Sequence, residues 1–127
     1  MPVIKFTIEG DPIGAPRMTQ RDRWKKRPVV LRYFAWRDKA REAAGELPPA
    51  EQIESLSWVA YFSPPVSWSK KKRTAVLGQL HRAKPDRDNI DKAILDALFE
   101  KDQNIAKGSV EKRWDVYERL EITITTA

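Results

Sequence analysis

Apolar and polar residues alternate in four stretches of the chain, and a period of two is typical of half-buried β-strands. The four stretches are Val3 to Glu9, Glu54 to Phe62, Val110 to Val116, and Leu120 to Ile124. Gly10, Asp11 and Pro12 follow the first stretch and favour a turn. The second stretch ends at Pro64-Pro65, and its apolar content predicts a central strand.

Three further segments predict helices. Val30 to Leu47 carries apolar residues in helical order and ends at Gly45 and the Pro48-Pro49 pair, which cannot continue a helix. A short helix is expected within Ser67 to Gln79, with Ser69 as its N-cap. Between the first strand and the first helix, Ile13 to Pro28 has neither period, and we interpret it as a basic loop.

The third predicted helix, Asp88 to Lys101, has the strongest pattern. Its broad apolar face consists of Ile90, Ala93, Ile94, Ala97 and Leu98. Asp88, Lys92 and Asp96 stack at i, i+4 and i+8 on the opposite side. Leu95 and Phe99 flank this charged stripe, so we expect a second surface to cover them, such as another subunit.

The composition narrows the fold and the location. With 127 residues and 41% apolar content, the chain suits one domain, residues 1–127, with one core. The predicted elements favour an α/β (α+β) fold, a small mixed sheet packed by two to three helices. The absence of cysteine excludes disulfides, zinc-thiolate sites and thiol nucleophiles, and the reducing cytoplasm is the expected location. The N-terminus is too charged for a signal peptide, and no apolar run approaches the roughly 18 residues of a membrane span.

The charge balance favours a polyanionic partner. Lys and Arg outnumber Asp and Glu by 24 to 18, a net charge of +6, which is typical of nucleic-acid binding. The basic residues concentrate in three runs: Arg17, Arg21, Arg23, Lys25, Lys26 and Arg27; Lys70, Lys71, Lys72 and Arg73; and Arg82, Lys84 and Arg87. One such run is typical of a solvated face, but three runs, one of them abutting acids, predict phosphate contacts along DNA. Trp24 is a candidate for base contact, whereas Trp36 and Trp58 lie in apolar patterns that predict core positions.

The acidic cluster is the segment KPDRDNIDK, Lys84 to Lys92, in which three carboxylates stand close together. Closely spaced carboxylates repel one another, so a bound cation would offset the cost. Asp86 follows a proline in extended chain, and Asp88 projects to the same side if that extension persists. Two such carboxylates could bind Mg²⁺ and hydrolyse a phosphodiester, with a neighbouring lysine stabilising charge in the transition state. The alternative is structural, a helix N-terminus capped by Asp88.

The sequence excludes several other kinds of metal site and active site. An EF-hand needs Asp or Asn and then Gly where this sequence has Ile90 and Asp91. Pro85-Asp86 matches half of a restriction-nuclease pattern, but no lysine has an acid two residues before it. His81 is the sole histidine, and no Gly-x-Ser-x-Gly or His-Glu-x-x-His motif occurs. We expect His81 to lie at the surface or to face DNA rather than to bind a metal.

The segment Lys84 to Lys92, running into Leu95-Asp96-Ala97-Leu98, resembles the signature of RusA-type Holliday-junction resolvases. The resemblance extends to the first strand, the Gly/Pro/Arg loop, the Ser67 to Arg73 segment and, more loosely, Val110 to Trp114. It implies a RusA-like fold and a small homodimeric endonuclease, often of phage or prophage origin. Such an enzyme uses Mg²⁺, with Mn²⁺ as a substitute, to nick four-way junctions symmetrically in DNA recombination and repair.

The resemblance also implies roles for individual residues. The metal-binding acids fall on Asp86 and Asp88, and the essential lysine on Lys92. The family's third essential acid belongs to an Asp-Asp pair after this helix, where this sequence has a single acid, Asp102. Asp102 is therefore the candidate third catalytic acid and metal ligand, and Asp96, on one face with Asp88, is the reserve.

Three functions remain open at this point: a resolvase, a catalytically impaired junction- or DNA-binding protein on the same scaffold, and a basic RNA-binding domain. Metal dependence separates the first function from the other two. A preference for four-way over linear DNA separates the second from the third.

Overall fold

The computed structural model describes residues 2–16, 28–100 and 104–126. Each strand and each helix expected from the sequence is present. In chain order they are β1 (Val3–Glu9), α1 (Pro28–Ala44), β2 (Ile53–Phe62), α2 (Lys70–Val76), α3 (Arg87–Leu98), β3 (Val110–Trp114) and β4 (Arg119–Thr126), with a 3₁₀ turn at Ala50–Gln52.

The strands form one mixed sheet in the order β1-β4-β2-β3. β4 pairs antiparallel with both β1 and β2, whereas β3 pairs parallel with β2. The predicted α/β class and the internal position of β2 are therefore confirmed. A parallel pair cannot be closed by a tight turn, so the chain between β2 and β3 runs through α2 and α3 before it returns to the sheet. The acidic cluster lies within this crossover connection.

The core lies between the sheet and the helices α1 and α3. Alternate residues of β2 and β4 point into it, because successive side chains of a strand face opposite sides of the sheet. Its most deeply buried large side chains are Trp58, Ile8, Ile90, Ile94, Leu120, Ile122, Ile124 and Val30. Trp36 is also buried, as its apolar surroundings in the sequence predict. None of the described helices combines the length and apolar content that a membrane crossing requires.

The free edge of β3 is covered by the chain itself. Main-chain hydrogen bonds run from Gly78 N to Trp114 O (2.9 Å), from Trp114 N to Gln79 O (3.0 Å) and from His81 N to Lys112 O (2.9 Å). An edge strand with unpaired N–H and C=O groups invites pairing with other chains, and this short ladder removes that liability. It also brings the residues that precede the acidic cluster directly beside Lys112.

The helix ends differ from the prediction. α1 begins at Pro28, because a proline suits the first helical position, where its missing N–H needs no partner. α3 begins at Arg87 and ends at Leu98 rather than at Lys101, since the backbone of Phe99 is extended. The N-cap of α3 is Asp86, and its side chain makes no capping hydrogen bond. The structural alternative, in which Asp88 caps the helix, is therefore wrong, because Asp88 already lies inside the first turn.

Leu95 and Phe99 are half-buried and pack against the same core as the rest of α3. α1 packs beside α3, and Arg41 Nε donates a hydrogen bond to the carbonyl oxygen of Ala97 (2.7 Å). The chain itself therefore covers part of Leu95 and Phe99. A further contribution from another subunit at this position stays a prediction.

Candidate active site

Asp86 and Asp88 lie at the start of α3. The backbone of Asp86 is extended (φ −67°, ψ 146°), and its carbonyl oxygen accepts the first helical hydrogen bond, from Ile90 N (3.1 Å). The argument that both side chains project to the same side required extended chain up to Asp88. The extension stops before that residue, because the helix begins at Arg87. Both carboxylates are nevertheless exposed and line the same cleft.

This cleft has a volume of about 760 Å³ and is open to solvent. It is lined by three parts of the chain: Leu80–Lys84, Asp86–Asp88 and Val110–Lys112. The first two belong to the crossover connection, and the third is the beginning of β3. The parallel pairing of β2 and β3 thus places the start of α3 next to the sheet edge.

Neither Asp86 nor Asp88 forms an ion pair with a described residue. Their oxygen atoms are therefore available to a ligand, and no side-chain cap consumes Asp86. Mg²⁺ is commonly bound by one or two carboxylates together with waters and substrate phosphates, so this donor set fits that metal. Within the described ranges no third acidic or histidine side chain joins the pair. Asp102, the candidate third ligand, lies outside the described residues.

Two other residues of the stripe on α3 occupy different places. Lys92 is exposed and follows Asp88 by about 6 Å along the helix axis, on the same face. Asp96 lies about 12 Å along the axis from Asp88. It lines a separate cleft with Arg41, Glu51 and other residues near the C-terminal end of α3. The structure therefore keeps Lys92 near the aspartate pair but does not bring Asp96 to it.

Asp91, the third carboxylate of the cluster, has a structural partner. The indole nitrogen of Trp58 donates a hydrogen bond to Asp91 Oδ1 at 2.9 Å. Trp58 is 2% exposed, so the carboxylate satisfies a buried N–H group that has no access to water. This bond fastens the first turns of α3 to β2. One of the three clustered carboxylates is thus explained by packing rather than by a cation.

Lys112 enters the site from β3, and sequence reasoning missed it. Its ammonium donates hydrogen bonds to the carbonyl oxygens of Ala83 (2.5 Å) and Pro85 (2.7 Å). Burial lowers the pKa of Lys112 below its ordinary value, and the nearby carboxylate of Asp86 offsets only part of this shift. The only available signal in the sequence was a lysine at an inward-facing position of a strand that otherwise carries Val110 and Trp114 on that side.

His81 is buried, so the expectation that it lies at the surface is wrong. Its ring stacks on Phe62 (centroids 3.9 Å apart, planes at 18°) and also contacts Trp114 (4.4 Å). Burial and the charge of Lys112 lower the pKa of His81 from 6.5 to about 4. The imidazole is therefore neutral at pH 7 and forms the floor of the cleft as an aromatic packing element.

Of the predicted basic residues that the structure describes, one run borders the cleft and another lies on α2. Arg82, Lys84 and Arg87 are exposed beside the aspartate pair. Lys70, Lys71 and Lys72 are exposed on α2, which begins at the predicted cap, since Ser69 Oγ accepts a hydrogen bond from Lys72 N (3.2 Å). Lys72 lies over the ring of Trp68 at 4.0 Å. Arg73 is half-buried.

The N-terminal basic run and Trp24 lie outside the described residues. The chain that leads to this run packs directly on the site. Ala15 N donates to Asn89 O (3.1 Å), and a Cβ on Gly14 would stand 3.2 Å from the Cβ of Pro85. Pro16 and Val29, which bracket the run, line a second cleft of about 620 Å³ together with Asp86.

A small one-sheet α/β scaffold with two unpaired carboxylates in an open cleft lined by lysine and arginine has the donor set that nucleases use to bind a cation and a phosphate group. Residues 9–125 match the family described as Endodeoxyribonuclease RusA, so the chain belongs to the RusA endodeoxyribonuclease family. Membership implies a Holliday-junction resolvase nuclease that binds branched DNA and acts in recombination. The resemblance read from the sequence is thereby confirmed. No match was found among curated proteins.

Proposed function

We propose that the protein is a Mg²⁺-dependent endonuclease that resolves four-way DNA junctions by paired, symmetrical nicks, and that Mn²⁺ can substitute. The observation that carries the proposal is the pair of exposed carboxylates, Asp86 and Asp88, which have no ion-pair partner among the described residues. They line an open cleft whose remaining charged rim is largely basic. This arrangement suits a cation that is shared between the protein and a phosphodiester.

In this proposal Asp86, Asp88 and Asp102 hold the metal. When bound, Mg²⁺ supplies an activated water and stabilises negative charge on the scissile phosphate. Asp86 and Asp88 orient the cation from the first turn of α3, and the rigidity of that turn limits how far they can move apart. Lys92, one turn further along, stabilises charge that develops in the transition state. Asp96 stays the reserve candidate. It lines a separate cleft near the C-terminal end of α3, so it would bind this metal only if the site lay nearer that end.

The DNA contacts in this proposal come from the three basic runs. Arg82, Lys84 and Arg87 are best placed to bind the phosphates next to the scissile bond, because they border the same cleft as the acids. The exposed lysines of α2 extend the positive surface away from it. The six basic residues between Pro16 and Pro28 would add phosphate contacts. The described residues on either side of them, Pro16 and Val29, line a cleft with Asp86.

Paired nicks require two sites with opposite orientations. We propose a homodimer, because a two-fold axis in the protein matches the two-fold symmetry of a four-way junction and presents one site to each of two strands. We further infer that residues 1–127 form one domain and that the protein acts in the cytoplasm, where the DNA is.

The test is a cleavage assay on end-labelled four-way junction DNA with linear duplex beside it, each in Mg²⁺ and in EDTA. Wild type is expected to give symmetrical nicks in the junction only with metal. Asp88→Asn is expected to abolish cleavage and to leave junction binding intact or tighter, because it removes a negative charge near phosphate. Asp38→Asn is the matched control, since Asp38 is an exposed acid on α1 away from the cleft.

Two results would contradict the proposal. Loss of junction binding together with cleavage in Asp88→Asn would mean that this residue maintains the fold rather than the chemistry. Binding of junctions by wild type without cleavage in Mg²⁺ or Mn²⁺ would identify an impaired member of the family, and the single acid at Asp102 would be the reason.

A further inference from the structure

Lys112 makes contacts that charge neutralisation alone does not explain. Its ammonium bonds two main-chain oxygens, those of Ala83 (2.5 Å) and Pro85 (2.7 Å), and it forms no ion pair with a described carboxylate. Hydrogen bonds from a charged donor are about twice as strong as neutral ones. The lysine therefore acts as a clamp on a short piece of backbone.

The piece of backbone that Lys112 holds leads directly into Asp86. Within the part of the chain that the structure describes, three attachments fix this region. The helix fixes Asp86 through the hydrogen bond from Ile90 N to its carbonyl oxygen (3.1 Å). The N-terminal loop packs Gly14 against Pro85. Among the described residues, Lys112 is the one that ties Ala83 and Pro85 to the sheet through a side chain.

The strand that carries Lys112 is itself well anchored. β3 pairs with β2 over Val110 to Trp114, and the main-chain oxygen of Lys112 accepts a hydrogen bond from His81 N (2.9 Å). A side chain that extends from such a strand has a fixed origin, so its ammonium can set the position of the loop rather than follow it.

We propose that Lys112 is a positioning residue of the active site, which holds the carboxylate of Asp86 where it can share a cation with Asp88 by clamping the carbonyl oxygens of Ala83 and Pro85. This inference rests on the proposed metal-dependent function. It adds a lysine from β3 to a site whose other candidate catalytic residues are the N-cap of α3 and residues on or after that helix.

The sign of one measurement separates positioning from simple electrostatics. A positive charge near Asp86 repels a metal cation, so removal of that charge alone would tighten metal binding. Removal of the clamp would let the Asp86 carboxylate move and would weaken metal binding. Partners that orient metal ligands typically contribute 10–100-fold to metal affinity.

The first experiment compares wild type with Lys112→Met. Mn²⁺ binding is measured directly by electron paramagnetic resonance without DNA, and the Mg²⁺ midpoint is measured in the junction cleavage assay. We expect Mn²⁺ affinity to fall about 10-fold or more and the Mg²⁺ midpoint to rise in parallel. Lys107→Met is the matched control, because the side chain of Lys107 is 72% exposed and makes only a long surface pair with Glu54 (3.9 Å). Unchanged or tighter Mn²⁺ binding in Lys112→Met would overturn the inference.

A rescue experiment protects the test against a folding defect. The chain contains no cysteine, so Lys112→Cys introduces the only thiol. Alkylation with 2-bromoethylamine forms a sulfur–carbon bond, releases bromide and leaves an ammonium group at nearly the reach of lysine. Alkylation with iodoacetamide leaves a neutral amide instead. Recovery of Mn²⁺ affinity by the first adduct and not by the second supports the inference, whereas equal affinity of both adducts overturns it.

The outcomes also distinguish this inference from the proposed function. If wild type neither binds Mn²⁺ nor cuts junctions, the proposed function fails, and the inference that rests on it fails as well. If wild type is active and Lys112→Met keeps its Mn²⁺ affinity while the maximal cleavage rate drops, Lys112 contacts the substrate directly and the positioning role is wrong.

Discussion

The bond between Trp58 and Asp91 leads to a quantitative prediction about how α3 is held on the sheet. The indole N–H and Asp91 Oδ1 are 2.9 Å apart, and the donor is almost fully buried. Hydrogen bonds to charged groups contribute about 1.5–3 kcal/mol to stability. Asp91 is only half-buried, so water weakens the interaction, and we expect the lower end of that range, about 1.5 kcal/mol.

A double-mutant cycle isolates this term. The variants are Trp58→Phe, Asp91→Ala and the double variant, each unfolded in urea and followed by circular dichroism, since loss of a tryptophan alters fluorescence. Trp58→Phe also leaves a cavity, but that cost occurs in both arms of the cycle and cancels. The coupling free energy should be about 1.5 kcal/mol.

A coupling below about 0.5 kcal/mol would refute this reasoning, because the two groups would then contribute independently. The same bond predicts a functional contrast. Asp91→Asn retains an acceptor for the indole, so we expect its metal-dependent cleavage to stay within a few fold of wild type. Loss of cleavage comparable to that of Asp88→Asn would make Asp91 a metal ligand and not an anchor.

Two further predictions concern stability. A Cβ on Gly108 would stand 1.7 Å from the carbonyl oxygen of Leu56, so Gly108→Ala should destabilise the protein by at least about 2 kcal/mol in urea unfolding. Gly45→Ala is the control, because a Cβ at Gly45 meets no atom within 4 Å. Its positive φ alone should cost about 1 kcal/mol. Equal losses of stability in the two variants would contradict the close approach of Gly108 to Leu56. The lowered pKa of His81, about 4 against 6.5, means that the unfolded chain binds the proton more readily. The contribution of neutral His81 to stability is therefore complete above pH 6.5 and is lost as the pH falls toward 4. His81→Phe should make the free energy of unfolding depend less on pH between these values. An unchanged pH dependence would show that His81 is not buried in its neutral form.

Much of the fold and part of the candidate site could be predicted from the sequence. The alternation in Ile53–Phe62 and Arg119–Thr126 identified the strands, because one face of each is buried and the other is not. The helical order of Ile90, Ala93, Ile94 and Ala97 identified the buried face of α3 for the same reason. Asp86, Asp88 and Lys92 were found together because they are neighbours along a single helix start, where sequence spacing translates directly into spatial proximity.

The errors have physical causes too. His81 was expected to lie at the surface or to face DNA, but the rings of Phe62 and Trp114, on the paired strands β2 and β3, enclose it. The alternative of Asp88 as the cap, and the argument that extended chain places Asp86 and Asp88 on one side, both need the chain to stay non-helical up to Asp88, whereas the helix begins one residue earlier, at Arg87. A second surface, such as another subunit, was expected over Leu95 and Phe99 because the sequence does not reveal that both side chains pack against the core of the same chain.

The local patterns of this chain determined its strands, its helices, the buried side of each and the position of its acidic cluster, since these depend on residues a few positions apart. The tertiary structure decided which polar groups become partners. Asp91 meets Trp58 across 33 positions, and Lys112 meets Pro85 across 27. Periodicity indicates which face of an element is buried. It does not indicate which acceptor a donor such as Trp58 or Lys112 will meet, because that depends on how the crossover between β2 and β3 folds back on the sheet. That topology made one carboxylate of the cluster an anchor and left Asp86 and Asp88 open to the cleft.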